Sequence, residues 1–200
     1  SALENQAFTG NNNAYNVAVG YSAGNDITTG VQNTLIGGLS GDALTTGNSN
    51  VAVGWNTLST NTAAHRNTAV GENTLAAMNV TTSSNTYNTA MGYSAGVSVT
   101  TGVLNTLIGG LSGDALTSGN NNTAVGYLAL SADTLGDRNV AIGNSALTAQ
   151  NFTTSTDSYN TAVGFTAGAA VSTGVQNTFI GGLSGDANTT GTNNTAVGVG

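Results

Sequence analysis

Large aliphatic residues return along this chain at a fixed interval, each three places after an asparagine and one place before a glycine. The aliphatic row is Val19, Ile36, Val53, Val70, Met91, Ile108, Val125, Ile142, Val163, Ile180 and Val197. The asparagines that announce it are Asn16, Asn33, Asn50, Asn67, Asn88, Asn105, Asn122, Asn139, Asn160, Asn177 and Asn194. Successive asparagines recur at an interval of 17, except from Asn67 to Asn88 and from Asn139 to Asn160, where the interval is 21. Three coils of 17 and one of 21 make a super-unit of 72. A period of this length marks a stacked repeat architecture, in which each coil buries its apolar face against its neighbours.

The motif Asn-Thr-Ala-Val-Gly and its variants place β-branched residues between turn formers, which predicts a short strand in every coil. The 29 glycines, and the lack of an apolar stripe at helical spacing, predict no helix. Strand side chains alternate between two faces. The fourth position of the motif is the bulkiest, and with the Val or Thr at the second it is expected to form the core. The third is Ala in eight coils of eleven, with Leu35, Leu107 and Phe179 in the others, and it is expected to approach another copy of the chain.

The asparagine column is expected to form an amide ladder from coil to coil and to tolerate left-handed backbone. A second glycine row, Gly30, Gly47, Gly102, Gly119, Gly136, Gly174 and Gly191, is expected at the opposite corner. Eleven coils at about 4.8 Å each would make a rod of about 50 Å. The whole of 1–200 reads as one solenoid, with super-repeats at 16–87 and 88–159 and partial ones at 1–15 and 160–200. The insertions near 81–87 and 153–159 are expected to protrude at one corner. Residues 1–15 echo 145–159, with Ser1 matching Ser145, Gln6 Gln150, Phe8 Phe152 and Tyr15 Tyr159. The expectation is a segment of a longer chain.

Charge and chemistry narrow the roles. The net charge is −7, and the only Lys or Arg residues are Arg66 and Arg138, so clustered phosphate contacts to nucleic acid are excluded. With no cysteine there is neither a disulfide framework nor a thiolate metal site. No apolar run approaches the roughly 20 residues of a membrane span, so no membrane insertion is expected of this segment.

The stretch Ile-Gly-Gly-Leu-Ser-Gly-Asp-Ala ends in Asp42, Asp114 and Asp186 and comes near a calcium-binding nonapeptide. One such carboxylate per super-unit is thin supply for a cation that takes six or more oxygens, so these read as turn aspartates and no metal or cofactor is expected. The only histidine, His65, reads as a solvated corner, and so do Asp133 and Asp137; no catalytic residues are expected. Tyr21, Trp55, Tyr93, Tyr127 and Phe165 each follow the strand's terminal glycine and share one register, while Tyr87 and Tyr159 recur at the long coils. These seven are the candidate receptor contacts. If exposed they could stack on sugar rings, and if buried they fill space between chains.

Asn-Val-Ala-Ile-Gly at 139–143, followed by Asn-Ser-Ala-Leu, resembles the head repeat of trimeric autotransporter adhesins, whose motif winds a left-handed parallel β-roll. The longer pattern Asn-Thr-Ala-Val-Gly-Tyr…Thr-Thr-Gly is similar to repeat regions of bacteriophage tail fibres. The resemblance extends over every coil, although each coil is longer than that of the adhesin head and the Ser after Asn is missing. It implies a homotrimer, intertwined or side by side. It also implies a structural segment of a virion tail fibre that spaces and stiffens it and contributes to attachment to a host-surface glycan or protein. The head of a bacterial cell-surface adhesin is the alternative. A glycan-cleaving tailspike enzyme is a third reading, against which the scarcity of His, Lys and clustered acids weighs.

Overall fold

β-Branched residues after each asparagine favour extended backbone, and the glycine that follows ends the strand. The computed structural model describes residues 1–6 and 13–200, and in it the strands run from Val17–Val19 and Thr34–Ile36 to Thr178–Ile180 and Thr195–Val197. Among the described residues eleven of them, one per coil, lie in chain order in a single parallel sheet. The register is strict: Val17 pairs with Thr34, Ala18 with Leu35 and Val19 with Ile36, and later coils repeat it. Ala64–His65 pairs with Ser84–Asn85, and Gly136–Asp137 with Thr156–Asp157, each joining a long coil to the one before it. The chain is an all-β parallel solenoid of about 11 coils, as the repeat predicts. Among the described residues no helix is long and apolar enough to cross a membrane. Phe8, matched above to Phe152, lies outside the described residues.

Stacking continues where no strand is present. In the turn segments alternate amides point up and down the axis: Gly24 N donates to Ser40 O at 2.9 Å, and Leu39 N to Tyr21 O at 2.8 Å. Backbone donors that a turn would otherwise leave to water are therefore used between coils.

The inside and the outside of the strand are the reverse of the sequence expectation. Ala52, Ala69, Ala90, Ala124, Ala141 and Ala162 at the third position, with Leu35 and Leu107, are fully buried. The fourth position faces out, with Ile108 36%, Ile180 42%, Met91 45% and Val197 73% exposed. The alanine row therefore packs inside its own chain and does not form a contact face between copies. The physical reason is width. So short a coil encloses a narrow interior, and its far wall already contributes large side chains, among them Ile27, Leu44, Met78, Val99 and Leu116. Opposite them only a small residue fits, so the bulkier strand residues turn outward.

The exceptions obey the same volume rule. Leu107 is accommodated because Gly113 stands in its coil, where a Cβ would lie 2.8 Å from Leu107 Cδ2. Coils with Ala52 or Ala69 on the strand instead carry Leu58 or Leu75 at the position equivalent to Gly113, and these leucines are buried. Leu-with-Gly and Ala-with-Leu coils keep the interior close-packed. Coils with Ala90 or Ala162 on the strand carry Gly96 or Gly168 at that same position, and the coils on either side fill the space: a Cβ on Gly96 would lie 2.7 Å from Leu107 Cδ1 and 3.0 Å from Leu75 Cδ2.

The asparagines stack coil on coil. Asn105 N donates to Asn88 Oδ1 at 2.9 Å, Asn105 Oδ1 accepts from Asn122 N at 3.0 Å, and Asn105 Nδ2 donates to Gly119 O at 2.8 Å. The same three bonds recur at Asn33, Asn50, Asn122, Asn160 and Asn177. Since Nδ2 reaches the carbonyl of Gly47, Gly119 or Gly191, the second glycine row lies beside the asparagines and not at an opposite corner. In the long coils a hydroxyl joins in: Thr86 Oγ1 donates to Asn67 Oδ1 and Ser158 Oγ to Asn139 Oδ1, both at 2.8 Å.

Left-handed backbone falls on the residue before each asparagine, not on the asparagine itself. Gln32, Ser49, Arg66, Tyr87, Leu104, Asn121, Arg138 and Tyr159 all have φ between 49° and 63°. Such a conformation costs a non-glycine residue about 1 kcal/mol or more, and it persists because the hydrogen bonds on either side leave no other path.

The reversed strand register predicts an order of effects. Leu107→Asp should abolish the folded state, whereas Ile108→Asp in dilute solution should keep the β-sheet circular dichroism and most of the urea resistance. Finding Ile108→Asp the more damaging of the two would contradict this assignment of the interior.

Candidate functional site

Three places were singled out by sequence: the aromatic column, the protruding corners and the aspartates. Tyr21, Trp55, Tyr93, Tyr127 and Phe165 occupy equivalent positions, and all are more than half exposed, from 52% to 77%. They stand just past the sheet, continuing the outward apolar rows. Between them come Gly38 and Gly110, and the rings lean into that space: a Cβ on Gly38 would meet Trp55 Cδ1 at 3.4 Å, and one on Gly110 would meet Tyr127 Cδ2 at 3.5 Å. Gly38 and Gly110 leave room for the Trp55 and Tyr127 rings against the rod, and the exposure of all five rings leaves them open to a partner.

The two protruding corners carry Tyr87 and Tyr159, both about half exposed. Thr81, Thr82 and Ser83 in the first, and Thr153, Thr154 and Ser155 in the second, are exposed, in keeping with a projecting insertion. Each tyrosine receives an arginine from the coil before it. Arg66 lies 5.5 Å from the Tyr87 ring centroid and its Nη1 donates to Tyr87 Oη at 2.8 Å; Arg138 lies 5.6 Å from the Tyr159 centroid. Arg138 also pairs with Asp157. At the equivalent place in the first corner, one super-unit earlier, stands Asn85, and Arg66 has no acidic partner among the described residues. A cavity of about 260 Å³ opens there, lined by Asn48, Ser49, His65 and Arg66 on one side and residues 83–85 on the other.

His65 is not a solvated corner: it is only 9% exposed. Its Nδ1 accepts from Asn48 N at 2.8 Å, so the ring proton resides on Nε2, which is 2.6 Å from Ser83 Oγ and donates to it. That tautomer has no lone pair with which to take a proton from Ser83. Burial first, and the neighbouring Arg66 charge second, hold its pKa below the usual histidine value. In the next super-unit Asp137 takes the same place, accepting from Asn120 N and from Ser155 Oγ. Both residues are rungs of a second ladder beside the asparagines.

Asp133 and Asp137 are likewise buried, at 0% and 7% exposure, and do not form a solvated pair. The Asp133 carboxylate accepts from Gly136 N at 3.0 Å and from Gln150 Nε2 at 2.7 Å, while Gln150 Oε1 accepts from Asn160 Nδ2 at 2.7 Å. Burial raises its pKa, with these bonds opposing the shift. Asp42 and Asp114 are also pushed up by burial, and each has one carboxylate oxygen without a hydrogen-bond partner among the described residues. Among the described residues no group of three or more His, Cys, Asp or Glu side chains could hold a metal ion.

A column alignment would have found the buried polar residues. Asp133 and Gln150 occupy the register of Leu44, Val99 and Leu116, a core row, and the other super-unit has Asn61 and Met78 there. The arginines carried a fainter signal, namely that both precede a ladder asparagine and stand one long coil before a tyrosine.

No protein-family model, no curated protein and no solved structure matches the chain.

The Asp133 site generates a pH-dependent prediction. Its folded pKa lies above the unfolded value, so its contribution favours folding below about pH 4 and is lost as pH rises through the folded pKa. Asp133→Asn combined with Gln150→Met rebuilds the Asn61 and Met78 pair. The double variant should be more stable than the parent at pH 7, by about 1–3 kcal/mol in urea unfolding. The gain should shrink as pH is lowered toward 3. A gain that does not vary with pH, or a loss at pH 7, would overturn this reading.

Proposed function

We propose that this chain is a rod segment of a trimeric fibre, best read as part of a phage tail fibre, which spaces and stiffens the fibre and adds to its contact with the host surface. The observation that carries the reading is the outward face of the sheet. Ile36, Met91, Ile108, Ile142 and Ile180 are all more than a third exposed and lie on one line, with the Val and Thr of the second strand position beside them. An outward line of aliphatic side chains repeated in coil after coil suits association with other copies. Identical rods in parallel register would meet line to line, with every coil contributing the same contact. The trimer itself follows from the resemblance to adhesin heads and fibre repeats.

In this arrangement the alanine row has no part in assembly, being filled from within its own coil. The sheet face takes that role, and the aromatic column lies at its margin, with Tyr87 and Tyr159 at the projecting corners. The same reasoning serves a bacterial cell-surface adhesin head, the alternative reading. Hydrolysis of glycan has weaker support, since His65 and Asp133 are engaged in the fold.

Native mass spectrometry with electron microscopy tests this. The expected result is three chains in one slender particle, with Ile108→Asp falling to monomers while Tyr127→Ala stays assembled. A monomeric parent chain would remove the support for the fibre reading.

A further inference from the structure

We infer that the corner built around Arg66 binds a single carboxylate-bearing sugar ring, of the uronic acid class, at one site per chain. The inference rests on the reading of the rod as a surface presented to a host envelope, and it names a ligand for one place on it. Its strongest support is a comparison within the chain. At the second corner the equivalent arginine, Arg138, is met by the carboxylate of Asp157. The first corner differs at that point by having an amide, Asn85; its arginine lies over a tyrosine ring as Arg138 does, but with no carboxylate to meet it Nη1 turns to Tyr87 Oη instead. A ligand that brings a carboxylate completes the pair that the chain makes for itself one super-unit later.

The arginine is also held ready. Tyr87 stacks with the guanidinium and accepts one of its five N–H donors, and no other side-chain hydrogen bond from Arg66 is present among the described residues. The remaining donors suit a two-pronged carboxylate contact, and little conformational freedom is left to lose on binding. Around the charge the cavity is lined by Asn48, Ser49, Ser83, Ser84 and Asn85, which carry hydroxyl and amide groups, and by the imidazole of His65. That supply of neutral donors and acceptors matches ring hydroxyls and exceeds what a bare anion requires. At about 260 Å³ the cavity lies just below the range of about 300–1,000 Å³ usual for small-molecule sites, which fits one ring and not an extended chain. One arginine at the site, in a chain of net charge −7, disfavours polyanions, so the acid is expected as an isolated residue within a mostly neutral glycan.

The test is an isotope-edited NMR titration of the assembled protein with methyl glucuronide, methyl glucoside and inorganic phosphate as separate probes. Two variants supply the controls. Asn85→Asp installs the residue of the second corner, and Arg66→Gln installs the residue found before the ladder asparagine at Gln32 and Gln176, with the same left-handed backbone. The expected result is saturable glucuronide binding with shifts centred on Arg66 and Asn85, at least tenfold weaker for glucoside and phosphate and at least tenfold weaker in either variant. Equal binding of glucoside, equal binding of phosphate, or undiminished binding by Asn85→Asp would overturn the inference. The mass of the same samples separates the two claims: a trimer that ignores glucuronide sinks only the site, and a monomer that binds it sinks only the fibre.

Discussion

The solenoid depends on one interaction, the buried side-chain amide that each coil lends to its neighbour. A coil this short, made mostly of Gly, Asn, Ser, Thr and Ala, has little apolar surface with which to hold itself closed. The asparagine supplies what is missing. Its Nδ2 clasps the carbonyl near the end of its own coil, and its Oδ1 receives the backbone N–H of the next, so one side chain closes a ring and fixes the spacing between rings. The amides from Asn33 to Asn177 are essentially removed from water. Each is worth more as a satisfied group than its net hydrogen bonds suggest, because an unpaired buried donor or acceptor costs about 1–3 kcal/mol. The penalty enforces register: a slipped coil would leave several such groups without partners.

Once the ladder sets the perimeter of the coil, packing follows. The interior is too narrow for two large side chains to face each other, which is why Leu107 stands with Gly113 and Ala124 with Leu130. The same limit sends Ile108 and its equivalents outward and creates the apolar face on which the proposed assembly depends. Where the insertion lengthens a coil, Thr86 and Ser158 add a hydroxyl to the ladder so that stacking survives the longer path. The projecting corners can therefore vary, as His65 and Asn85 differ from Asp137 and Asp157, without loss of the rod.

The architecture was legible in the sequence because a solenoid repeats its determinants. Period, parallel pairing and the asparagine column all follow from the spacing of one pentapeptide. The identity of the inner face was not legible in the strand alone. Alternation says that Leu107 and Ile108 point opposite ways, but which way is inward depends on the far wall, and Leu116 and Leu130 lie in segments that read as turns. Asp133 and His65 were misjudged for a related cause. Charged and imidazole side chains between short strands resemble solvated corners, whereas here coil-to-coil bonds from Gln150 Nε2 to Asp133 and from Asn48 N to His65 draw them inside. The aromatics were correctly placed in one register, but their exposure depended on the direction of the neighbouring strand.

The most direct measurement is the unfolding free energy of Asn105→Ala beside that of Asn144→Ala, an exposed asparagine outside the ladder. Removing the Asn105 amide strands Asn122 N and Gly119 O, so a loss of about 2–6 kcal/mol is predicted, against about 0.5 kcal/mol or less at Asn144. Equal and small losses at the two positions would contradict the account, for the coils would then be held by something other than their asparagines.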